Sequence, residues 1–108
     1  PLLAFTARLQ KKHDMPVACF GHAGDGNIHT NVMVDESEPG HAKRKLAALD
    51  ELFAWVIAHG GVITGEHGVG MAKKRWWPQA ADRNVRRLHV SVKAAIDPDG
   101  LMNPGKFV

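Results

Sequence analysis

The chain has 108 residues, of which 44% are hydrophobic and 23% are charged, and its formal net charge is +3. This composition predicts one folded domain at most and argues against disorder. No apolar run approaches the roughly 20 residues that cross a bilayer. A charge of +3 is also small for nucleic-acid binding, so neither a membrane span nor a nucleic-acid partner is expected.

The cysteine content and the first residues give expectations about the cellular context. Cys19 is the only cysteine, so no internal disulfide can form and a reducing, cytoplasmic compartment is expected. The first residues include neither an initiator methionine nor a basic leader. This argues against a signal peptide and suggests that the sequence was cut from a longer protein.

The first third of the sequence predicts a helix followed by a β-hairpin. Apolar residues at helical spacing indicate a short helix from about Leu2 to His13. The helix should end there because a residue that precedes a proline, here Pro16, avoids helical dihedrals. Two strand-like runs follow over 17–20 and 28–34, and a Gly-Asp-Gly-Asn sequence between them is typical of a turn.

The turn predicts a register for the hairpin. If Asp25 and Gly26 are the central residues of a tight turn, His22 lies opposite His29. Because side chains alternate across a strand, the hairpin then has two different faces. The apolar face carries Val17, Cys19, Ile28, Val32 and Val34. The second face carries Phe20, His22, His29, Asn31 and Met33. A longer loop that shifted the register by one residue would undo this arrangement.

The remaining sequence predicts two longer helices with a short strand between them. Helical spacing runs from about His41 to His59, and the glycine pair that follows can close the helix. The β-branched residues at 62–64 predict a buried strand. The later segments are a glycine-rich loop (65–70), a short helical turn (71–77), a helix (about 79–96) and an extended tail (101–106). The apolar stripe of the last helix consists of Val85, Leu88, Val92 and Ile96.

Alternating helices and strands predict an α+β fold, a small and mostly antiparallel sheet with helices on one face. Residues 1–108 are expected to form a single domain. The face that carries the two histidines also carries Phe20 and Met33, and no element of the chain is predicted to cover it. Such a face usually meets another domain or a second copy of the chain, so a homodimer is one expectation.

Two histidines and a glutamate form a candidate metal site. His22 and His29 share one predicted face, and Glu66 follows the predicted strand, from which it could add an oxygen ligand. Two histidines and one carboxylate with an open position hold catalytic zinc in many enzymes, and non-haem iron uses the same set. The alternative is that all three are ordinary exposed polar residues, and spacing alone favours this alternative.

His67 is a candidate general base beside the metal. Glycines on both sides of Glu66 and His67 permit unusual backbone angles and close approach of another molecule. If Glu66 faces a metal, His67 can face a substrate and accept a proton, since imidazole titrates near neutral pH. A solvated histidine in a tight turn fits the same pattern equally well. Near the end of the chain, Asn103 and Lys106 could form an ordinary polar tail or could contact an anionic cofactor.

Three ordered motifs together resemble a known family. They are Gly-His-Ala-Gly-Asp-Gly-Asn-Ile-His at 21–29, Gly-Glu-His-Gly-Val-Gly at 65–70 and Asp-Pro-Asp-Gly-Leu-Met-Asn-Pro-Gly-Lys at 97–106. From about residue 15 to residue 106 the chain is similar to the C-terminal cap domain of the FAD-linked oxidases of the vanillyl-alcohol-oxidase type. These flavoproteins include D-lactate dehydrogenases, the glycolate oxidase flavin subunit and D-2-hydroxyglutarate dehydrogenase. The resemblance implies that the α+β fold is a fragment of a ferredoxin-like cap.

The resemblance implies a role for each candidate residue in the oxidation of a 2-hydroxy acid. His22, His29 and Glu66 match the ligands of a divalent metal, usually zinc. His67 matches the base that contacts the substrate and takes its hydroxyl proton while a hydride leaves for the flavin. Asn31 matches a substrate-contacting asparagine, and Asn103 and Lys106 match contacts to FAD.

The resemblance also implies a partner for the chain. The FAD-binding domain of the family lies N-terminal to such a cap, and nothing in this sequence resembles it. The chain is therefore expected to contact its own FAD domain, which binds most of the cofactor, and to be inactive alone. Two alternatives are a non-catalytic metal-binding or interaction module and a metallohydrolase in which zinc-bound water attacks an ester or amide.

Overall fold

The computed structural model describes every residue from Pro1 to Val108 and contains four α-helices and a two-stranded antiparallel sheet. The elements are α1 (Leu2–His13), β1 (Val17–His22), β2 (Asn27–Val32), α2 (His41–Ala58), α3 (Trp77–Ala80) and α4 (Arg83–Ile96). They confirm the predicted α+β class. Two compact units make up the chain, residues 1–55 and residues 56–108. No helix combines the length and the apolar character needed to cross a membrane.

In the first unit, both helices pack against the same face of the hairpin. The Cys19 thiol in β1 donates a hydrogen bond to the Thr6 hydroxyl of α1 at 3.5 Å. Ala48 of α2 packs in a buried cluster with Met15 and with Val32 of β2. Cys19 and Val32 belong to the face predicted to be apolar, so the prediction that helices cover one side of the sheet is confirmed.

Local sequence signals account for the ends of the first two helices. α1 ends at His13, as predicted, and Asp14 follows in the left-handed conformation with φ of 50°. α2 ends at Ala58, one residue before the predicted end. Gly60 then has φ of 73°, and the N–H of the next residue donates to the Val56 carbonyl at 2.9 Å. This bond satisfies a carbonyl that the helix itself leaves without a donor.

The second unit lacks the strand predicted at 62–64. Only β1 and β2 are paired, and the segment at 62–64 is irregular. Ile63 is buried, whereas Val62 is 77% exposed. β-branched residues favour a strand only where a neighbouring strand pairs with their backbone, and here none does. Glu66 therefore follows an irregular segment and not a strand.

The single helix predicted over 79–96 is wrong, because α3 and α4 are separate. Asp82 lies between them in an extended conformation and accepts hydrogen bonds from the N–H groups of Asn84 at 2.7 Å and Val85 at 3.0 Å. An aspartate in this position begins a new helix by capping its first N–H groups. The apolar stripe of α4 is exposed, with Leu88 at 63% and Ile96 at 68%, and no residue of α4 is buried.

Candidate metal and substrate site

The connection between β1 and β2 is longer than the predicted two-residue turn. Residues Ala23–Asp25 form a 3-10 turn, which Gly26 closes with φ of 70°. His22 consequently pairs with Asn27, and Phe20 pairs with His29. The predicted pairing of His22 with His29 is therefore wrong by two residues. The difference arises because the structure has a longer turn than the predicted one. The Asp-Gly sequence alone does not determine the type of turn.

A shift of two residues leaves the two faces of the hairpin unchanged, because side chains alternate with a period of two. His22, His29 and Asn31 consequently share one face with Phe20. His22 and Asn31 are exposed, and His29 is half-buried. His22 and His29 are diagonal neighbours, and such neighbours lie about 7–8 Å apart along the sheet, within reach of long side chains.

Two residues of β1 lie beside the His29 ring. The ring centroid of Phe20 lies 5.2 Å from that of His29, with the ring planes inclined by 38°. Gly21 has φ of 138°, and a Cβ on it would lie 2.5 Å from the Asn27 carbonyl oxygen and 3.2 Å from His29 Cδ2. The sequence predicts Phe20 on this face, but it does not predict that Phe20 or Gly21 lies against His29. A glycine inside a strand is nevertheless a signal of close backbone approach.

In the second unit, Glu66 and His67 lie on an anchored loop. Their side chains are 55% and 67% exposed, and Glu66 Oε1 lies 3.6 Å from His67 Nε2. This distance allows an ion pair but is longer than a hydrogen bond. On the two flanks of the pair, the Thr64 hydroxyl donates to the Gly68 carbonyl at 2.7 Å, and Val69 is buried. The loop therefore presents a carboxylate and an imidazole side by side to solvent.

The C-terminal segment turns back on itself, so the predicted extended tail is wrong. The Lys106 N–H donates to the Asn103 carbonyl at 3.3 Å, and the Lys74 ammonium donates to the Gly105 carbonyl at 3.0 Å. The Lys106 ammonium lies 3.4 Å from Met71 Sδ, which is a weak acceptor, and it forms no ion pair. Asn103 and Lys106 are both exposed at the ends of one turn.

The fold and the exposed polar groups together describe the kind of protein to which the chain belongs. The chain has an α+β fold and carries imidazole, carboxylate and amide groups at its surface, and these are groups that bind metals and transfer protons in enzymes. The family is defined by comparison with known proteins. The family model described as FAD linked oxidases, C-terminal domain, matches residues 2–107, and the chain belongs to this family. The resemblance noted in the sequence is therefore confirmed.

Similar proteins of known name are much longer than this chain. A D-lactate dehydrogenase of Anaerostipes hadrus is 36% identical over 106 residues, which are 97% of the chain and 22% of that protein. The glycolate oxidase subunit GlcD of Escherichia coli K12 is 42% identical over 103 residues, 94% of the chain and 20% of that subunit. A D-2-hydroxyglutarate dehydrogenase of Stutzerimonas stutzeri A1501 is 37% identical over 96 residues, 87% of the chain and 21% of that protein. The chain thus spans about a fifth of their length.

Proposed function

We propose that the chain is the substrate- and metal-binding portion of an FAD-dependent dehydrogenase that oxidises a 2-hydroxy acid to a 2-oxo acid. Membership of the FAD-linked oxidase family supports the use of FAD. D-lactate, glycolate and D-2-hydroxyglutarate, after which the similar proteins are named, are all 2-hydroxy acids. The observation that carries the proposal is structural: His22, His29 and Asn31 share one face of the hairpin.

The donor set fits a divalent metal. In the proposed site, the imidazoles of His22 and His29 and the carboxylate of Glu66 are the ligands. Such a set leaves coordination positions open for a substrate, and zinc is the metal that nitrogen and oxygen ligands of this kind commonly bind in catalytic sites. Phe20 supports the assignment because its ring lies against the His29 imidazole, and Gly21 supports it because it leaves space for that imidazole beside β1.

The remaining residues bind the substrate and move its proton. When bound, the metal supplies a Lewis acid that lowers the pKa of the substrate hydroxyl, and FAD supplies the acceptor of the hydride from C2. His67 contacts the substrate and accepts the hydroxyl proton as a general base. Asn31 donates or accepts a hydrogen bond that orients the substrate. Asn103 and Lys106 contact FAD, and the ammonium of Lys106 complements an anionic group of the cofactor.

The substitution His67→Ala in the full-length enzyme tests the proposal. Removal of the general base should lower the rate of flavin reduction by about 10²- to 10⁴-fold. Stopped-flow absorbance of the flavin after anaerobic mixing with a 2-hydroxy acid measures this rate. His59→Ala is the matched control, because His59 is an exposed histidine outside the proposed site.

Removal of the metal by a chelator should also slow reduction, and added zinc should restore it.

Other results would support a different function. An unchanged rate of flavin reduction in His67→Ala, or after complete removal of the metal, would contradict the proposal. Bound zinc without any flavin reduction would indicate a non-catalytic metal-binding module. Hydrolysis of an ester or amide without a redox cofactor would indicate a metallohydrolase.

We also propose a cytoplasmic location, since the single cysteine needs no oxidising compartment, and cell fractionation tests it.

A further inference from the structure

Asp97 is the only buried acidic residue of the chain, with 7% of its surface exposed. It follows α4 directly, at the C-terminal end of the helix, where the helix dipole disfavours a negative charge. Carboxylates are rarely buried unless they are paired. The burial and the helix dipole both destabilise the ionised carboxylate of Asp97, so we expect other contacts of this residue to compensate.

Three donors converge on the Asp97 carboxylate. The ammonium of Lys93, one turn earlier in α4, donates to Oδ2. The Leu101 N–H donates to Oδ1 at 2.9 Å, and the Met102 N–H donates to Oδ2 at 2.9 Å. The hydrogen bond from Lys93, followed by those from the two backbone groups, lowers the pKa of Asp97 below its ordinary value of 3.8. Lys93 also donates to the Met102 carbonyl, so this first anchor fixes the backbone at 101–102 against α4.

An aromatic cluster forms a second anchor farther along the tail. The Phe107 ring lies edge-on to Trp77 at 4.9 Å and to His89 at 5.4 Å between centroids. Trp77 and His89 are themselves 5.0 Å apart. His89 Nδ1 lies 2.8 Å from the Val85 carbonyl oxygen, which holds the imidazole against its own helix. The segment 103–106 is therefore fixed on both sides.

Between the two anchors, Asn103 adopts an uncommon backbone conformation. Its φ is 47°, and Asp14 is the only other residue besides glycine with a positive φ. Such conformations persist where the surrounding contacts determine them, and they concentrate at functional sites. The side chains of Asn103 and Lys106 nevertheless remain exposed. The anchors thus order the backbone and leave these two side chains accessible.

We propose that Asp97 and Lys93 are positioning residues for the cofactor-contacting turn. By fixing residues 101–102 against α4, they determine where Asn103 and Lys106 meet the flavin. The inference rests on the proposed function, because it requires that Asn103 and Lys106 contact FAD. Asp97 and Lys93 act only through the backbone and touch neither cofactor nor substrate.

The substitution Asp97→Asn in the full-length enzyme tests the inference. It removes the charge that holds Lys93 and the two backbone N–H groups, so amide hydrogen exchange at Leu101 and Met102 should become faster. The dissociation constant of FAD should rise by about tenfold, which is the size of effect expected when a hydrogen bond to a charged group is lost. The visible spectrum of the bound flavin should also shift. Asp99→Asn is the control, because Asp99 is an exposed carboxylate two residues away. It should change none of these quantities, and the metal content should be the same in both variants.

Substitutions of Lys93 separate a positioning role from a general loss of stability. Lys93→Arg keeps the charge and should retain most of the FAD affinity, whereas Lys93→Met should reproduce the effect of Asp97→Asn. If Asp97→Asn does not yield folded protein, Phe107→Leu releases the second anchor without leaving an unpaired charge. That variant should weaken FAD binding in the same direction, and unchanged FAD affinity both in it and in Lys93→Met would overturn the inference.

The outcome is distinguishable from that of the proposed function. Faster exchange at 101–102 with unchanged FAD affinity and an unchanged flavin spectrum would overturn the positioning role alone. In that case His67→Ala and metal removal still decide whether the protein is a 2-hydroxy acid dehydrogenase. Loss of FAD affinity in Asp97→Asn, with flavin reduction that does not depend on His67, would instead retain the inference and contradict the proposed general base.

Discussion

A hydrogen atom in place of a side chain at Gly21 determines how closely the two strands of the hairpin approach each other. An added Cβ would lie 2.5 Å from the Asn27 carbonyl oxygen, a distance that real Cβ atoms essentially never show. It would also lie 3.2 Å from Cδ2 of His29, a proposed metal ligand. The backbone of Gly21 is left-handed as well, so any side chain here adds strain. The geometry of one proposed ligand thus depends on a residue that has no ligand atom.

At this scale we predict that Gly21→Ala weakens metal binding. The added methyl group should separate the strands locally and displace the His29 imidazole, which should lower zinc affinity by about 10- to 100-fold. Competition with a chromophoric chelator measures the affinity in the full-length enzyme. Gly24→Ala is the matched control in the same hairpin, since no atom lies within 4 Å of its added Cβ. Equal affinities of the two variants would show that Gly21 does not position His29.

Among the elements, α1 and α2 are joined by a small charged cluster. The Lys12 ammonium and His13 Nε2 each lie 2.9 Å from Glu51 Oε2. The hydrogen bonds from Lys12 and then from His13 lower the pKa of Glu51 below its ordinary value of 4.5. Because the folded state holds the carboxylate ionised, the cluster stabilises the fold above the ordinary pKa. This contribution is lost as the pH falls through the lowered pKa of the folded state.

We therefore predict that Glu51→Gln lowers stability in a pH-dependent way. Near neutral pH the loss should be about 1 kcal/mol or less, since pairs with exposed members contribute little. The difference in Tm from the unsubstituted protein should shrink as the pH falls below 4.5 and through the lowered pKa of the folded state, where the carboxylate of the folded protein becomes protonated. Thermal unfolding followed by circular dichroism over a series of pH values measures this difference. Glu36→Gln, at an exposed glutamate, should show no such trend, and a constant difference for Glu51→Gln would contradict the assignment.

At the scale of the whole molecule, several large apolar side chains are exposed. Phe20 on the histidine-bearing face is 56% exposed, and Met33, the residue that follows β2, is 47% exposed; exposed apolar side chains of this kind commonly meet another domain. The chain covers only about a fifth of its relatives. We therefore propose that the FAD-binding domain of the same polypeptide covers this face. The isolated chain should then bind no FAD tightly, and the full-length protein should.

Oxidation of methionine by hydrogen peroxide tests this proposal. Met33 should form the sulfoxide quickly in the isolated chain and slowly in the full-length protein, as measured by peptide mass spectrometry. Met15 is the internal control because it is 2% exposed and should be protected in both. Equal oxidation of Met33 in the two proteins would contradict the proposal. Protection of Met33 that appears in the isolated chain only at high concentration would indicate a homodimer instead.

The sequence by itself determined the features that depend on a few adjacent residues. The end of α1 before Pro16 and the end of α2 at its glycine pair follow from backbone rules that act within one or two turns. The two faces of the hairpin also follow, because alternation has a period of two and a shift by two residues preserves it. The break at Asp82 had an available signal as well, since aspartate is a preferred N-cap. Three motifs together were sufficient to identify the family.

Only the tertiary structure decided which distant residues meet. The register that pairs His29 with Phe20 depends on the turn and on both strands together, and the sequence favoured a different turn. The segment at 62–64 has strand propensity but no strand to pair with. The burial of Asp97 depends on a tail that folds back onto α4. Pairing and burial arise from contacts between separated segments, so local propensity alone cannot determine them.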